Sequence, residues 1–494
     1  MNGAGVDRQA VADLIAQGRD EEALALLARA ADADVVRGLQ ADILKRLGRL
    51  EEALSLRLLH AAARPASVPV QHNLAALLGD MGRFPEAEAA VRAAQALGGD
   101  APETWLILAR ALQGQNRYDE ADAAYRAVLA RRPGQHDAVK ELCQLIWMRT
   151  GDLEQARVPI ESAIAAAPGD ALLRMIRSTL MAYAGVSAEQ NWRILTDGAP
   201  QDRASLEMTA AELIADVDPA RALDHAERAA RLAPNDPAAW LILARCRLIS
   251  GQASEAADIL RRLAPVAPDE QLLWALAATA ERAGAEVDPV LRLNDHEASV
   301  RGWMLQAPTG WPDLKTYLAD LAKSLRALHT VKTHPVGQSL RHGTQTQVNL
   351  ERSDDPAIRA FFQAIDAPIR RHIEALGQGS DPLRRRNRGG YRLAGCWSVQ
   401  LAPNGFHAAH VHRQGWLSSA CYIDLPAAVD GGGREGWISF GVPPFACGDV
   451  REPLRVEKPE PGKLVLFPSY MWHETLPFSG DETRLTIAFD VVPA

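Results

Sequence analysis

Over the first 290 or so residues, short Ala- and Leu-rich stretches alternate with one compact polar phrase. It reads Gly18-Arg-Asp-Glu-Glu-Ala23, Gly48-Arg-Leu-Glu-Glu-Ala53, Gly82-Arg-Phe-Pro-Glu-Ala87, Asn116-Arg-Tyr-Asp-Glu-Ala121, Gly151-Asp-Leu-Glu-Gln-Ala156 and Gly251-Gln-Ala-Ser-Glu-Ala256. The intervals are 30, 34, 34 and 35 residues, then 100, about three periods, with weaker copies at Gly185 and at Val217 to Ala222. A fixed period of this length marks a repeat architecture. Within each unit the Gly or Asn takes the left-handed conformation that ends a helix. Acidic residues then open the next helix, where its dipole favours them. A small Ala at a constant position lets that helix pack closely on its predecessor. Pro133, Pro168, Pro234 and Pro268 close successive units, because proline cannot continue a helix. The pattern predicts an array of helical hairpins.

From Asp288 the phrase stops. Gly302-Trp303 and Pro308-Thr-Gly-Trp-Pro312 form a turn-rich break. Leu314, Leu318, Leu321, Leu325 and Leu328 recur at helical spacing within Asp313 to His329, and Phe361 to Leu376 forms a second amphipathic helix. Between them, His334 to Thr346 is polar and too poor in apolar residues for a strand, so it reads as a surface loop, with a place over an active site as the alternative. After Gly390 the period shortens. Cys396 to Leu401, Leu417 to Leu425, Gly436 to Phe440, Lys463 to Phe467 and Arg484 to Val492 read as strands. Pro403-Asn-Gly405, Gly431-Gly-Gly433, Pro461-Gly462 and Ser479-Gly480 divide them as turns. Short strands so punctuated predict an antiparallel sandwich or barrel.

Composition narrows the picture. A chain of 494 residues exceeds one hydrophobic core, and 6 of its 11 Trp lie after residue 300, so its two halves differ in character. The net charge of -8 speaks against nucleic acid, whose phosphates need a basic surface. The run Arg384-Arg385-Arg386, extended by Arg388, reads as a solvated loop in preference to a polyanion site. Cys143, Cys246, Cys396, Cys421 and Cys447 are odd in number and contain no CxxC pair, which suggests neither a disulfide framework nor a thiolate zinc site. With no basic-then-apolar leader and no apolar run of about 20 residues, a cytoplasmic protein is expected.

The histidines carry the chemistry. Asn404-Gly-Phe-His-Ala-Ala-His-Val-His412 holds three, and His473 follows some sixty residues later. Residues two apart on an extended strand face one side, so His410 and His412 converge while His407 points away. A same-face imidazole pair with a distant third suits iron, copper, nickel or zinc. His473 lies just past the apolar strand of Pro461-Gly-Lys-Leu-Val-Leu-Phe-Pro-Ser-Tyr-Met-Trp-His473; Arg484 comes eleven residues on, with Thr486 on the same face.

Two resemblances follow. The repeated phrase resembles the tetratricopeptide repeat over about residues 7 to 290, which implies a right-handed helical solenoid whose concave face binds peptides or partner proteins. The histidine–arginine arrangement resembles the iron(II)/2-oxoglutarate oxygenases, which fold as a double-stranded β-helix. Residues 334 to 494 are similar to a bacterial and phage group of such oxygenases through Gln338-Ser-Leu-Arg-His-Gly-Thr-Gln-Thr346, His410-Val-His412 with Gly415-Trp-Leu-Ser418, and Phe467-Pro-Ser-Tyr-Met-Trp-His473. The resemblance implies Fe(II) held by His410, His412 and His473. It also implies 2-oxoglutarate anchored by Arg484 and Thr486, with Tyr422 a further candidate, and O2 as co-substrate. Trp397, Trp416, Trp437 and Trp472 are candidates for the pocket wall.

One departure stands out: His412 occupies the position where most of the superfamily has Asp or Glu, leaving the site one unit more positive. Glu435 is a possible loop replacement, whereas Asp424 lies too far along its strand. The expected architecture is multidomain: an all-α repeat solenoid over 1-290, a helical linker over 291-333, and an α+β domain with a jelly-roll or cupin-like core over 334-494. The expected activity is hydroxylation of a protein or peptide recruited by the repeats, with neither nucleic acid nor membrane as partner. The rivals are an oxygenase acting on a small metabolite, a three-His metalloenzyme independent of 2-oxoglutarate, and a non-catalytic repeat scaffold.

Overall fold

The computed structural model describes residues 8–28, 33–200 and 202–494. The chain divides into two compact units, Met1–Leu145 and Ile146–Ala494.

The first unit consists of antiparallel helix pairs. Among them are Val68–Asp80 with Phe84–Ala96 and Pro102–Gly114 with Tyr118–Arg131. The residue that opens each polar phrase does the work assigned to it. Gly18, Gly48 and Gly82 have φ of 71°, 75° and 73°, and Asn116 reaches 59°, a conformation Asn tolerates better than other side chains. Ala23, Ala53, Ala87 and Ala121 are completely buried. In a space that admits only a methyl group, a larger side chain would push the two helices apart. The Arg of the phrase reaches forward to a carboxylate three residues on, as in Arg49–Glu52 and Arg117–Glu120. These exposed pairs contribute little to stability.

The second unit continues the pattern in Ala171–Tyr183 with Ala188–Thr196, Ala204–Ile214 with Pro219–Leu232, Pro237–Ile249 with Ala253–Leu263, and Gln271–Arg282. Acidic side chains cap several of these helices: Asp170, Asp236 and Glu270 each accept from backbone N–H groups of the first turn.

Among the described residues the same unit holds nine strands in one antiparallel sheet: β1 (Arg301–Met304), β2 (Leu340–Gln345), β3 (Tyr391–His410), β4 (Leu417–Asp424), β5 (Ile438–Phe440), β6 (Arg455–Glu457), β7 (Lys463–Pro468), β8 (His473–Thr475) and β9 (Arg484–Pro493). Their order is β1-β7-β4-β9-β3-β8-β5-β6, and β2 pairs with β3. The helices Leu314–Leu328 and Pro356–Leu376 pack on the sheet through Leu321, Leu325 and Phe361, whose ring meets Phe489 edge-on at 6.2 Å. One continuous apolar core runs from Ala211 to Val491, so the repeats of this unit and the sheet are buried against each other. The Trp472 indole donates to Thr279 Oγ1 at 3.0 Å, and Arg413 pairs with Glu270 through two bonds.

Three local expectations are corrected. The segment 334–346 is not a loop throughout, because Leu340–Gln345 forms β2. A strand lying over β3 is satisfied by backbone pairing and needs few apolar side chains of its own; only Leu340 is fully buried. Pro403-Asn-Gly405 does not end a strand. β3 continues to His410, and the residues between Leu401 and Phe406 bulge out, since those two pair with Gly343 and Arg341. Asn404, at φ 61°, takes the left-handed conformation that the bulge requires.

Third, the arginine run is only partly solvated: Arg385 and Arg388 are exposed, whereas Arg384 is buried and Arg386 half-buried. Arg384 is 8 % exposed and paired with Asp381, Arg385 lies over the Trp274 ring at 5.4 Å, and Arg386 donates to Gly415 O. Local charge density alone suggested a surface loop, but Arg384, Arg385 and Arg386 each have a partner brought in by the tertiary fold.

Candidate metal centre

β3 and β8 run antiparallel with His410 directly opposite His473. His412 follows two residues beyond the end of β3, where its backbone N–H donates to Ser469 O at 3.0 Å. Gly415, whose own N–H bonds His412 O, makes this turn possible, since a Cβ there would lie 2.2 Å from Ser469 Oγ. The available ring nitrogens of His410, His412 and His473 lie within 4.8 Å of one another.

Each imidazole is oriented through its other nitrogen. His410 Nδ1 bonds Ala408 O at 2.8 Å, His473 Nδ1 bonds Met471 O at 3.0 Å, and His412 Nδ1 bonds Asp490 Oδ1 at 2.6 Å. With each Nδ1–H donated, the Nε2 lone pairs are directed to one point, and those of His410 and His412 stand 3.2 Å apart. Two lone pairs this close repel unless a proton or a cation lies between them. Burial, and then the proximity of His412, hold His410 down to about 3; burial lowers His473 well below its ordinary value. The His410 and His473 rings are therefore neutral at physiological pH, the form that binds a metal. The donor set fits a first-row divalent cation.

These side chains line a cavity of about 870 Å³ together with Arg484 and Thr486 of β9. Arg484 is 2 % exposed, its Nε has no hydrogen-bond partner, and no carboxylate pairs with it among the described residues. Its guanidinium lies 5.1 Å from the Tyr422 ring centroid. The Tyr422 hydroxyl is likewise buried without a partner. A buried, unpaired guanidinium is costly unless an anion joins it. A dicarboxylate reaching from the histidines to Arg484 would supply that anion, so the residues present fit 2-oxoglutarate as well as a metal. Thr486 is a weaker anchor, since its hydroxyl already reaches Val399 O at 3.5 Å.

The structure brings together His410, His412, His473, Arg484 and Thr486, with Tyr422 beside Arg484. Trp397 stacks on His412 at 5.9 Å and lines the cavity. Trp416, Trp437 and Trp472 do not line it; each is tied by its indole N–H to Leu383 O, Val429 O and Thr279 respectively. Glu435 accepts from Ser479 and Asp424 pairs with Arg326, so neither replaces the missing carboxylate.

Three residues at the centre were not anticipated. His407 does not point away: it shares the cavity, with its ring 5.9 Å from that of His410. The register of β3 against β8 shifts between His407 and His410, which cancels the alternation assumed for an unbroken strand. Ser339 Oγ bridges His407 Nδ1 at 2.9 Å and His410 Nε2 at 3.2 Å. Asp490 was within reach of the sequence, since positions 484, 486, 488 and 490 alternate along β9 and share its cavity face. Its carboxylate, which also accepts from Ser418 at 2.8 Å, places the negative charge absent from position 412 immediately behind His412. Asp490→Asn is expected to weaken metal affinity about 10- to 100-fold, as for other groups that orient a ligating imidazole. Metal titration followed by calorimetry would measure it, and an unchanged affinity would remove Asp490 from the centre.

Residues 395–490 match the family model described as "Putative 2OG-Fe(II) oxygenase". Tetratricopeptide-repeat models match 72–136, 108–171 and 213–280. The chain thus carries tetratricopeptide repeats followed by a C-terminal domain of this 2OG-Fe(II) oxygenase family. No curated protein matches it. Among solved structures, a tetratricopeptide repeat protein from Parabacteroides merdae is similar over 50% of this chain and 99% of its own, at 14% identity and a TM-score of 0.35. A MamA fragment from Desulfovibrio magneticus RS-1 is similar over 32% of this chain and 91% of its own, at 18% identity and a TM-score of 0.30. Scores of this size establish no shared fold. No helix among the described residues is long and apolar enough to cross a membrane.

Proposed function

We propose that the protein is an iron(II)- and 2-oxoglutarate-dependent dioxygenase that hydroxylates a protein or peptide held by its repeats. The observation that carries this reading is the convergence of three oriented imidazoles in one cavity with a buried guanidinium that lacks a counterion. In this reading 1-290 recruits, 291-333 links, and 334-494 forms a double-stranded β-helix that catalyses. The odd number and burial of the five cysteines suit a reducing, cytoplasmic setting.

When bound, iron(II) and 2-oxoglutarate supply the oxidising power, which is drawn from O2 and from decarboxylation of the co-substrate to succinate. His410, His412 and His473 would hold the metal by Nε2. Arg484, with Tyr422 beside it, would bind the distal carboxylate of 2-oxoglutarate. Asp490 holds the His412 ring and offsets the charge of the metal. Trp397 and Phe467 wall the cavity and limit water around the reacting C–H bond. Arg484 also argues against a three-His enzyme that dispenses with 2-oxoglutarate, since such an enzyme has no use for a buried cation there.

The reading is tested by comparing peptides from cells carrying the wild type with those from cells carrying His410→Ala. Wild-type cells are expected to contain at least one peptide heavier by the mass of one oxygen atom, which the variant lacks. Identical peptide populations would contradict hydroxylation of protein.

A further inference from the structure

The cavity that holds the three histidines is not built by the sheet alone. Tyr183, the last residue of the repeat helix Ala171–Tyr183, lines it as well. So does Arg341 of β2, whose guanidinium lies over the Tyr183 ring at 4.5 Å from its centroid. Arg341 Nη1 donates to Gln338 O at 2.8 Å and to Leu340 O at 2.9 Å. The stack and these two bonds fix the guanidinium in place, and Nε and Nη2 have no protein acceptor among the described residues. The backbone beneath is fixed too: the Trp147 indole donates to His334 O at 3.0 Å, and the His334 ring reaches Tyr183 O at 3.3 Å.

A charge count of the cavity shows what Arg341 lacks. Three arginines line it, Arg341, Arg413 and Arg484, and one acid, Asp490. Arg413 is neutralised by Glu270, and Asp490 is committed to His412 and Ser418. Arg484 is deep and suited to the co-substrate. Arg341 is partly exposed and has no carboxylate partner among the described residues. A guanidinium braced on an aromatic ring, with one edge free toward the cavity, is a ready site for a carboxylate.

We propose that Arg341, braced by Tyr183, is the substrate-selecting residue, and that it binds the acidic side chain of a polypeptide segment passing from the repeats into the cavity. The inference rests on the oxygenase reading for the fate of that segment, but not for its binding. The repeats contribute part of the cavity wall, so a chain lying on them meets Arg341 on its way to the histidines. Specificity then lies in an Asp or Glu beside the residue brought to the metal.

The test uses the full chain loaded anaerobically with Fe(II) and 2-oxoglutarate. It is exposed to three random decapeptide pools: one containing Asp and Glu, one with Asn and Gln in their place, and one with phosphoserine in their place. Bound peptides are counted by mass spectrometry. Acidic peptides are expected to be retained at least about tenfold over their amide counterparts, the size of one charge-assisted hydrogen bond. Arg341→Gln should abolish the preference, Arg341→Lys should restore part of it, and Tyr183→Ala should reduce it.

Equal retention of the acidic and amide pools, or an acid preference that survives in Arg341→Gln, would overturn the proposal. Preferential retention of the phosphoserine pool would overturn it in favour of a phosphate ligand. Competition by free glutarate with no peptide retained would replace the polypeptide with a small dicarboxylic acid. Oxygen is then admitted to the same samples and succinate measured. Acid selection without succinate would leave the subsite standing while the oxygenase reading fails; succinate without acid selection would sink the subsite alone.

Discussion

His473→Ala is expected to lose stoichiometric metal binding, with affinity falling by at least about 100-fold, beyond the range seen when only a supporting group is lost. His412→Asp is expected to retain the metal. The asymmetry comes from where the two residues lie. His473 sits on β8 directly opposite His410 with its ring 4.1 Å away, and no other side chain can take its place from that strand. Position 412 lies just past the end of β3, beside Asp490, where a carboxylate can supply an oxygen ligand. Two neighbouring acids would repel each other in the empty site, so His412→Asp should bind metal more strongly dependent on pH than the wild type does. Metal content after dialysis, with circular dichroism to verify folding, separates the cases. Equal metal retention by His473→Ala would refute the ligand set.

Arg484→Ala is expected to raise the dissociation constant for 2-oxoglutarate about 100-fold while metal affinity stays within a factor of about two. That size corresponds to about 3 kcal/mol, a reasonable value for a charge-assisted, bidentate contact in a buried site. The variant should fold, because the guanidinium gives up no carboxylate partner on removal and its desolvation cost disappears with it. Its unfolding midpoint is therefore expected to equal or exceed that of the wild type when no ligand is present. Calorimetric titration of 2-oxoglutarate into metal-loaded protein measures the effect. An unchanged dissociation constant would move the co-substrate elsewhere and favour an enzyme that does not use it.

Much of this arrangement was legible before any coordinates. The repeats declare themselves because each depends on two residues with strict demands, a left-handed turn residue and a buried Ala, at a nearly constant spacing. His410 and His412 were legible as a pair two residues apart, and His473 and Arg484 through their resemblance to the oxygenase pattern. What the sequence concealed has one physical cause in common: contacts that join distant segments. The bulge at 402–405 and the register shift after His407 are decided by pairing with β2 and β8, so His407 was assigned to the wrong face. Ser339 was passed over because it lies in the bend just before β2, and only the pairing of β2 with β3 brings it to the histidines. Arg384 looked solvated because Asp295, one of its partners, is 89 residues away. Asp490 was hidden for a different reason, since the alternation from Arg484 to Thr486 needed only to be carried two steps further.

An oxygenase of this kind couples turnover of dioxygen to that of 2-oxoglutarate on its bound metal. The direct measurement is release of carbon dioxide from the labelled carboxyl next to the keto group, with succinate quantified in parallel. Release is expected only when Fe(II), O2 and 2-oxoglutarate are all present, with equal amounts of the two products, and with neither formed by His473→Ala. Absence of succinate under every metal tested, with the wild-type protein folded and metal-loaded, would contradict the oxygenase reading.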